Sequence, residues 1–464
     1  MTLARISAQT RAVETAVSRA SGARPVPGNA VALLVDGPKA YAAMREVIAS
    51  ATQWIHFENY IIRSDDEGWG FAQLLAEKAR KGIRVRVIYD WIGSVGTSRK
   101  LWRFLRGSGC EVRAFGPLRL FRPLGILSRD HRKLVLADGR DAVIGGLCIG
   151  NEWTGRGVEG GHPWRDTAVR ISGPAAPLLD AAFRGTWAAA GPAFDGDSAA
   201  EVRACGEAVV RTVVGKPGRE RTYRLIELLA TGARERLWVT DAYFLAPPRL
   251  LQAFRDAARD GVDVRILVPG SSDIPLVRNL TRIGYRDLLR SGVRIFEWDG
   301  PMLHAKTIVA DGRWVRVGSS NLNPASLMGN YELDALIEDA DLADALEKQF
   351  RLDIARSSEV LRRPVRAPPR LSQRLPSVLE REAPAEMEPH RVTMRERRER
   401  ATIAFRLMAS HARRSVFVPA MIALAVLAAF FLFLPRVTGY VFGVICVWLA
   451  VSAGLAAFRQ RAEQ

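Results

Sequence analysis

The stretch that decides the fold is WIHFENYII at Trp54–Ile62, because a related stretch, LWVTDAYFL, occurs at Leu237–Leu245. Each copy has the apolar, β-branched and aromatic composition of a buried strand. An amphipathic helical segment follows each copy, and then an alternating strand, at Ile83–Asp90 and at Val262–Pro269. Strands that alternate with helices predict a parallel or mixed sheet with helices on its faces. The two copies predict a duplicated α/β body, an α/β sandwich with pseudo-two-fold symmetry.

A second repeated pattern, His-x-Lys followed by four residues and an Asp, occurs after each copy of the first. It reads HRKLVLAD from His131 and HAKTIVAD from His304, in a chain with only 6 histidines. Residues i and i+2 of a strand project to the same face, so Lys133 and Lys306 each point with the histidine of their own motif. Two imidazoles and two ammonium groups suit a phosphate diester. Lysine is a point charge for its oxygens, one histidine is a nucleophile and the other an acid and base.

A turn of small residues follows each motif, where backbone can approach a bound anion closely. In the second half it begins with Gly318-Ser319-Ser320-Asn321. The Asn321 amide is a hydrogen-bond donor for a phosphate oxygen. We therefore predict a substrate-binding group made of Ser319, Asn321 and Asn323.

These motifs resemble those of the phospholipase D superfamily, and within it the chain looks like the bacterial cardiolipin synthases. The resemblance covers roughly residues 29–353. It rests on the paired motifs, on the ends of the two repeated strands, on Trp164-Arg165-Asp166 and on GSSNLNPASLMGNYE, which begins at Gly318. It implies a phospholipase D-like fold and a single active site shared by the two halves.

The resemblance also implies a role for each motif residue. His131 attacks phosphorus and becomes a phosphatidyl-histidine, while His304 protonates the leaving alcohol and then deprotonates the acceptor. Because the two half-sites are alike, which histidine attacks stays open. Lys133, Lys306 and Asn321 hold the non-bridging oxygens.

Four carboxylates complete the predicted site. The resemblance implies that Asp166 and Glu332 orient the imidazoles through their other ring nitrogen. Asp138 and Asp311 belong to the catalytic motifs, although we expect each of them to tie the loop of its motif.

One position departs from the family pattern: Cys148 stands where the first half should carry the counterpart of Asn321. A thiol is a weak donor, so Lys133 alone or a backbone N–H would bind phosphate there; a catalytic thiol is the alternative.

The function predicted from this resemblance is phosphatidyl transfer from one phosphatidylglycerol to a second, which forms cardiolipin and releases glycerol. The first alternative is a phospholipase D in which water is the acceptor, giving phosphatidic acid. A phospholipase D-type nuclease is the second. No cofactor is predicted, and no metal, because no His, Cys or carboxylate cluster has ligand spacing. Both half-sites lie in one chain, so a monomer could suffice.

Composition divides the remainder of the chain. We predict a disordered or surface tail at 1–28, two halves at 29–200 and 201–356, and a Pro- and Arg-rich linker with a juxtamembrane segment at 357–414. From Arg356 onward there are eighteen Arg and eight Glu, so this tail carries more than half of the formal charge of +18. A basic tail suits an anionic membrane or nucleic acid.

Two uncharged stretches favour the membrane over nucleic acid. Val416–Leu434 and Val437–Phe458 are each long enough to cross a bilayer as a helix, and only Pro435-Arg436 separates them. We therefore predict a transmembrane hairpin at 415–459. Arginines flank both ends, which predicts attachment to the bacterial inner membrane with the catalytic body on the cytoplasmic side. Residues 1–29 lack the apolar core of a signal peptide, and the four separated cysteines fit a reducing compartment.

Overall fold

The computed structural model describes residues 3–117, 128–156, 161–196 and 202–361. Within these ranges no helix combines the length and the apolar character that a membrane span requires. The predicted hairpin at 415–459 and most of the predicted linker lie outside the described residues.

The described chain alternates helices and strands almost throughout. The α-helices are α1 (Leu3–Ser21), α2 (Asp36–Ser50), α3 (Asp66–Arg80), α4 (Arg99–Gly107), α5 (Ala176–Ala190), α6 (Arg221–Gly232), α7 (Pro248–Arg259), α8 (Pro275–Arg290) and α9 (Ala340–Ala355). The strands are β1 (Val26–Val35), β2 (Trp54–Asn59), β3 (Arg84–Asp90), β4 (Glu111–Phe115), β5 (Lys133–Ala137), β6 (Asp141–Gly145), β7 (Thr167–Ser172), β8 (Ala208–Gly215), β9 (Arg236–Thr240), β10 (Asp263–Pro269), β11 (Arg294–Trp298), β12 (Thr307–Ala310), β13 (Trp314–Gly318), β14 (Glu332–Glu338) and β15 (Ser357–Glu359).

The strand order repeats the duplication of the sequence. All strands join in the order β15-β11-β10-β9-β12-β13-β14-β8-β1-β7-β6-β5-β2-β3-β4. Outward from the antiparallel pair β8–β1, the two halves list equivalent strands in the same order, and β15 adds to one edge. Only β2-β3-β4 and β9-β10-β11 run parallel to one another. The predicted mixed α/β sheet is therefore confirmed, and the two repeated stretches form β2 and β9.

Helices cover both faces of each half. Between the halves, Leu179, Phe183 and Trp187 of α5 and Leu342 and Phe350 of α9 are buried in one apolar cluster with strand residues of both halves. The outer faces are covered by α2, α3 and α4 in the first half and by α6, α7 and α8 in the second. Packing of the two halves through this shared apolar cluster holds the two motifs together.

The N-terminal segment is helical, because residues 3–21 form α1. Val17 of this helix is buried with Leu225 and Leu229 of α6. Glu14 pairs with Arg211 of β8, whose side chain is fully buried. A buried guanidinium requires a counter-charge, so α1 completes the second half. Because β1 begins at Val26, the first half also begins before residue 29.

The C-terminal edge of the sheet continues three residues past the predicted end of the second half. Residues 357–359, which the sequence places in the linker, form β15 on the edge strand β11. Arg294 of β11 holds this strand through a two-point ion pair with Glu359, at 2.8 and 3.1 Å. Three residues are too few for a periodic pattern, so only pairing with the sheet edge defines this strand.

Antiparallel pairing brings both His-x-Lys motifs to the carboxyl ends of the parallel strands. Lys133 at the start of β5 pairs with Asn59, the last residue of β2. Thr307, at the start of β12, pairs with Thr240, the last residue of β9. Functional residues of α/β folds occur at this edge of the sheet.

Candidate active site

Each motif is attached to the opposite half by a backbone hydrogen bond. The His131 N–H donates to the Tyr331 carbonyl at 2.9 Å, and the His304 N–H donates to the Arg165 carbonyl at 2.7 Å. The residues that follow Tyr331 and Arg165 are Glu332 and Asp166. Each of these backbone hydrogen bonds therefore fixes the distance between a histidine of one half and a carboxylate of the other half.

The two imidazoles pair with these carboxylates across the halves. Nδ1 of His131 lies 3.1 Å from both oxygens of Glu332, and Nδ1 of His304 lies 2.7 Å from Oδ2 of Asp166. All four side chains are buried. A carboxylate at Nδ1 fixes the tautomer with the proton on Nδ1, so Nε2 of each ring carries the lone pair for chemistry.

Further donors hold the two carboxylates in place. Glu332 accepts from the hydroxyls of Ser319 and Ser326, each at 2.5 Å. Asp166 accepts from Nε1 of Trp153 at 2.9 Å and from the Thr167 N–H at 2.8 Å. Burial raises the pKa of both carboxyls, but the facing histidine and these donors outweigh it, so the net shift of each pKa is downward. Both groups are carboxylates at neutral pH.

The two lysines are buried cations. Each donates to the carbonyl of the histidine in its own motif, Lys133 to His131 and Lys306 to His304. Within the described ranges neither ammonium forms an ion pair. Burial, with repulsion from Lys133, lowers the pKa of Lys306 to about 8, although Asp166 opposes the shift. Two buried ammonium groups without a direct ion pair favour an anionic ligand.

Desolvation also sets the charge of the imidazoles. Burial lowers the pKa of His131, and Glu332 opposes the shift. Burial and the neighbouring Lys306 lower the pKa of His304 to about 3, against the effect of Asp166. Both rings are therefore neutral near pH 7. A bound phosphodiester would compensate the lysines and raise both pKa values, so a proton can enter the site with the substrate.

The three residues predicted to bind substrate differ in their contacts. The Ser319 hydroxyl is engaged with Glu332, and Asn323 donates to the Tyr243 carbonyl at 3.2 Å and accepts from the Ser326 N–H at 3.0 Å. These two hold the wall of the site. Asn321 is buried, and among the described residues no hydrogen bond engages its side chain; Oδ1 is an acceptor, so Nδ2 is the atom that could donate to a phosphate oxygen. The Asn321 amide is thus the member of this group that the protein leaves for a ligand.

The thiol of Cys148 is 1% exposed. Burial raises its pKa, and Lys133 only partly offsets this effect. It stays a neutral thiol at physiological pH, and thiols are poor nucleophiles in that form. In the described part of the chain, no group of three or more His, Cys, Asp or Glu side chains could hold a metal ion.

Aromatic side chains line the site in both halves, and sequence analysis assigned them no role. The Tyr60 ring lies 4.9 Å from the His131 ring and the Tyr243 ring 6.0 Å from the His304 ring, measured between centroids. Trp164 adds a third wall at 5.9 Å from His304. The signal in the sequence is the Tyr at the equivalent position of each repeated strand.

The structure does not bring Asp138 and Asp311 to the imidazoles. They follow the far ends of β5 and β12, and five extended residues separate Lys133 from Asp138 by about 16 Å. Asp138 accepts from the backbone N–H groups of Thr52, Gln53 and Trp54 at 2.8–2.9 Å. Asp311 accepts from the backbone N–H groups of Arg234, Glu235 and Arg236 at the start of β9, at 2.9–3.2 Å. As the sequence suggested, each of these two carboxylates holds the loop of its motif in place through hydrogen bonds to a neighbouring segment of backbone.

We expect Asp138→Ala to lower the free energy of unfolding by about 2–4 kcal/mol, because it leaves several backbone donors without their acceptor. Asp138 also has a φ of 51°, a conformation that Ala rarely adopts. Urea unfolding of purified protein measures the change, and Asp138→Asn, which tolerates this φ, should lose less. Unchanged stability combined with lost turnover would instead give Asp138 a chemical role.

Comparisons with known proteins identify the family of the chain. The family model described as "Cardiolipin synthase, PLD-like domain" matches residues 225–354. The chain is 33% identical over 347 residues to a cardiolipin synthase of Geobacillus kaustophilus, covering 73% of this chain and 69% of the relative. It is 31% identical over 337 residues to a cardiolipin synthase of Halalkalibacterium halodurans, covering 71% and 66%.

A solved structure has the same fold. A phosphatidylserine synthase of Haemophilus influenzae Rd KW20 superposes with a TM-score of 0.57 at 15% identity, covering 75% of this chain and 92% of that one. The chain spans about two thirds of the length of its curated relatives. From the identity and the extent of these matches, the chain belongs to the phospholipase D-like cardiolipin synthase family.

Proposed function

We propose that this protein is a cardiolipin synthase that transfers the phosphatidyl group of one phosphatidylglycerol to a second and releases glycerol. The observation that carries the proposal is the cross-paired site, in which two imidazoles, each held by a carboxylate of the other half, lie with two buried lysines that form no ion pair with any residue the structure describes. One phosphodiester is exchanged for another, so no nucleotide is needed.

In the first step Nε2 of His131 attacks phosphorus and the bond from phosphorus to the glycerol oxygen breaks. His304, protonated once the anionic substrate has raised its pKa, gives its proton to the departing alcohol. Lys133, Lys306 and the Asn321 amide hold the non-bridging oxygens, whose charge they stabilise in the transition state.

In the second step the neutral His304 removes a proton from the acceptor hydroxyl, and the new oxygen attacks phosphorus. The bond from phosphorus to His131 breaks, and both imidazoles return to their starting state. With phosphatidylglycerol as acceptor the product is cardiolipin, and with water it is phosphatidic acid. The acceptor therefore decides between a synthase and a phospholipase D.

The test is incubation of the purified full chain with liposomes that contain labelled phosphatidylglycerol. We expect cardiolipin and released glycerol in equal amounts, and no cleavage of added nucleic acid. Phosphatidic acid as the main product at every acceptor concentration would overturn the synthase in favour of the phospholipase. The Asn321→Ala variant serves as a control for substrate binding, since it removes one donor and leaves both imidazoles.

We further propose that residues 415–459 anchor the enzyme in the bacterial inner membrane with the catalytic body in the cytoplasm. Two apolar segments flanked by arginines at both ends support this orientation. Reporter fusions after Phe350 and after Gln464 should both give cytoplasmic signals. Opposite signals would mean that only one segment spans the membrane.

We expect log(kcat/KM) to fall more steeply once the pH passes about 8, because Lys306 then loses the charge that binds phosphate, in addition to the proton that His304 must acquire to act as the acid. Lys306 is active in its protonated form, so the alkaline limb of the kcat/KM profile follows the pKa of Lys306 in the free enzyme. A pH series in mixed micelles of fixed composition measures it, with Lys306→Arg as the control that moves the limb upward. A wild-type limb near 10.5, the ordinary lysine value, would contradict this expectation.

A further inference from the structure

We propose that the sheet edge carrying the active site is also a docking face for a bilayer of anionic phospholipid. This docking face consists of the loop after β3, the loop after β10 and the outer surfaces of α4 and α8. The inference rests on the proposed function, because it concerns how a substrate held in a membrane reaches the site.

The first observation is where the exposed apolar side chains lie. Ten large apolar side chains are exposed in the described residues, and seven of them follow the carboxyl ends of strands at the active-site edge: Ile92, Val95, Leu245, Ile274, Leu280, Ile283 and Met328. Single exposed apolar residues are ordinary, but their concentration at one edge indicates an interaction surface.

The two most exposed members lie one in each half. Val95, in the loop between β3 and α4, is 72% exposed, and Ile283, on α8 after β10, is 75% exposed. Because β3 and β10 are equivalent strands of the repeat, both side chains belong to segments that follow the same edge of the sheet. A flat bilayer at this edge could contact both halves at once.

The second observation is the charge of the same surface. Helices α4 and α8 present basic side chains to solvent, and five of these form no ion pair among the described residues: Arg99, Lys100, Arg103, Arg106 and Arg286. The exposed acids Asp273 and Asp287 are engaged with Tyr243 and Arg290. Unpaired cations around apolar side chains match an anionic bilayer, where the apolar groups enter the interface and the cations meet the headgroups.

The third observation is continuity with the active site. Tyr243 and Asn321 line the site, and Leu245 and Met328 follow them closely in sequence while being 37% and 39% exposed. The phosphodiester of a membrane lipid lies at the headgroup level. A face that inserts side chains at this edge brings Lys133 and Lys306 to that level without extracting the lipid.

The test uses the full chain in liposomes, with Cys205→Ser and Cys446→Ser to remove the exposed and tail thiols. Single probes are attached through Val95→Cys, Ile283→Cys or Leu361→Cys, and the lipids carry a quencher. Leu361 is the matched control, because it is 65% exposed but lies at the opposite end of β11. We expect the Val95 and Ile283 probes to be quenched at least about twofold more than the control in phosphatidylglycerol, and less in neutral lipid. Equal quenching at all three positions would overturn the docking face.

A second arm measures turnover. Val95→Asp combined with Ile283→Asp should slow reaction with long-chain phosphatidylglycerol in liposomes by about tenfold or more. The same variant should keep the wild-type rate on a short-chain phosphatidylglycerol below its micellar concentration, and Leu361→Asp should keep both rates. Equal losses on both substrates would overturn the inference. The inference would also be overturned if the lipid-free wild-type protein were a dimer and the double Asp variant a monomer. The face would then join two copies of the chain instead of contacting a bilayer.

The outcomes separate this inference from the proposed function. Selective quenching without any cardiolipin product supports the docking face and removes the synthase. Cardiolipin formation without selective quenching removes the docking face and leaves the synthase.

Discussion

His131→Ala should reduce both phosphatidyl transfer and hydrolysis by about 10³-fold or more, because no covalent intermediate can then form. The imidazole supplies the only Nε2 that faces phosphorus from the side opposite the leaving alcohol in the proposed mechanism. His304→Ala should also be slow with phosphatidylglycerol, since the departing alkoxide is then not protonated.

A donor lipid with a leaving group that needs no proton separates the two roles. With such a donor, His304→Ala should recover most of the rate of intermediate formation, whereas His131→Ala should recover none. Rapid quench and mass spectrometry of the trapped protein measure the phosphatidyl-histidine directly. Recovery by His131→Ala instead would exchange the roles of the two histidines. Two displacements also retain configuration at phosphorus, so inversion in a chiral-phosphate assay would exclude the covalent mechanism.

Asp166→Asn and Glu332→Gln should each lower kcat by about 10²–10⁴-fold with little change in KM. An amide can donate to Nδ1 of the imidazole, which moves the ring proton to Nε2 and removes the lone pair that the chemistry needs. The lysines and Asn321 still hold the phosphate, so binding should survive. The expected signature is a fold-decrease in kcat that is much larger than the fold-change in KM.

The chain offers a matched control for this effect. Asp180 faces Nδ1 of His56 at 2.7 Å, and both side chains are buried, but His56 lies on β2 and has no part in the site. Asp180→Asn should therefore lower stability without a selective loss of kcat. If Asp166→Asn and Asp180→Asn reduce turnover equally per folded molecule, the role of Asp166 is structural rather than tautomeric.

The duplication and the reacting groups could be predicted from the sequence. Strand and helix periodicities depend on neighbours a few residues apart, so the stretches that form β2 and β9 carry their own signal. The His-x-Lys spacing is equally local, because alternate residues of a strand share a face. The motif also contains the cue that Asp138 and Asp311 tie loops, although the sequence alone also grouped them with the catalytic residues.

The pairing of each histidine with a carboxylate was decided only by the tertiary structure. His131 and Glu332 are 201 residues apart, and His304 and Asp166 are 138 residues apart. The resemblance indicated that both carboxylates orient imidazoles but did not assign the partners. The assignment depends on two backbone bridges between the halves, and no local periodicity encodes a contact at that separation.

Burial in the folded protein determined the charge states of the site and the position of α1. The charge states of His304 and Lys306 follow from desolvation and mutual repulsion in a shared site, which composition and spacing do not report. The helix α1 likewise has no apolar run of its own. Its fold is set by Leu225, Leu229 and the buried Arg211 of a distant segment. The sequence by itself predicted which groups would react and determined which strands carry them. Only packing of one half on the other determined how those groups are paired, charged and presented, because desolvation and long-range contacts belong to the folded chain as a whole.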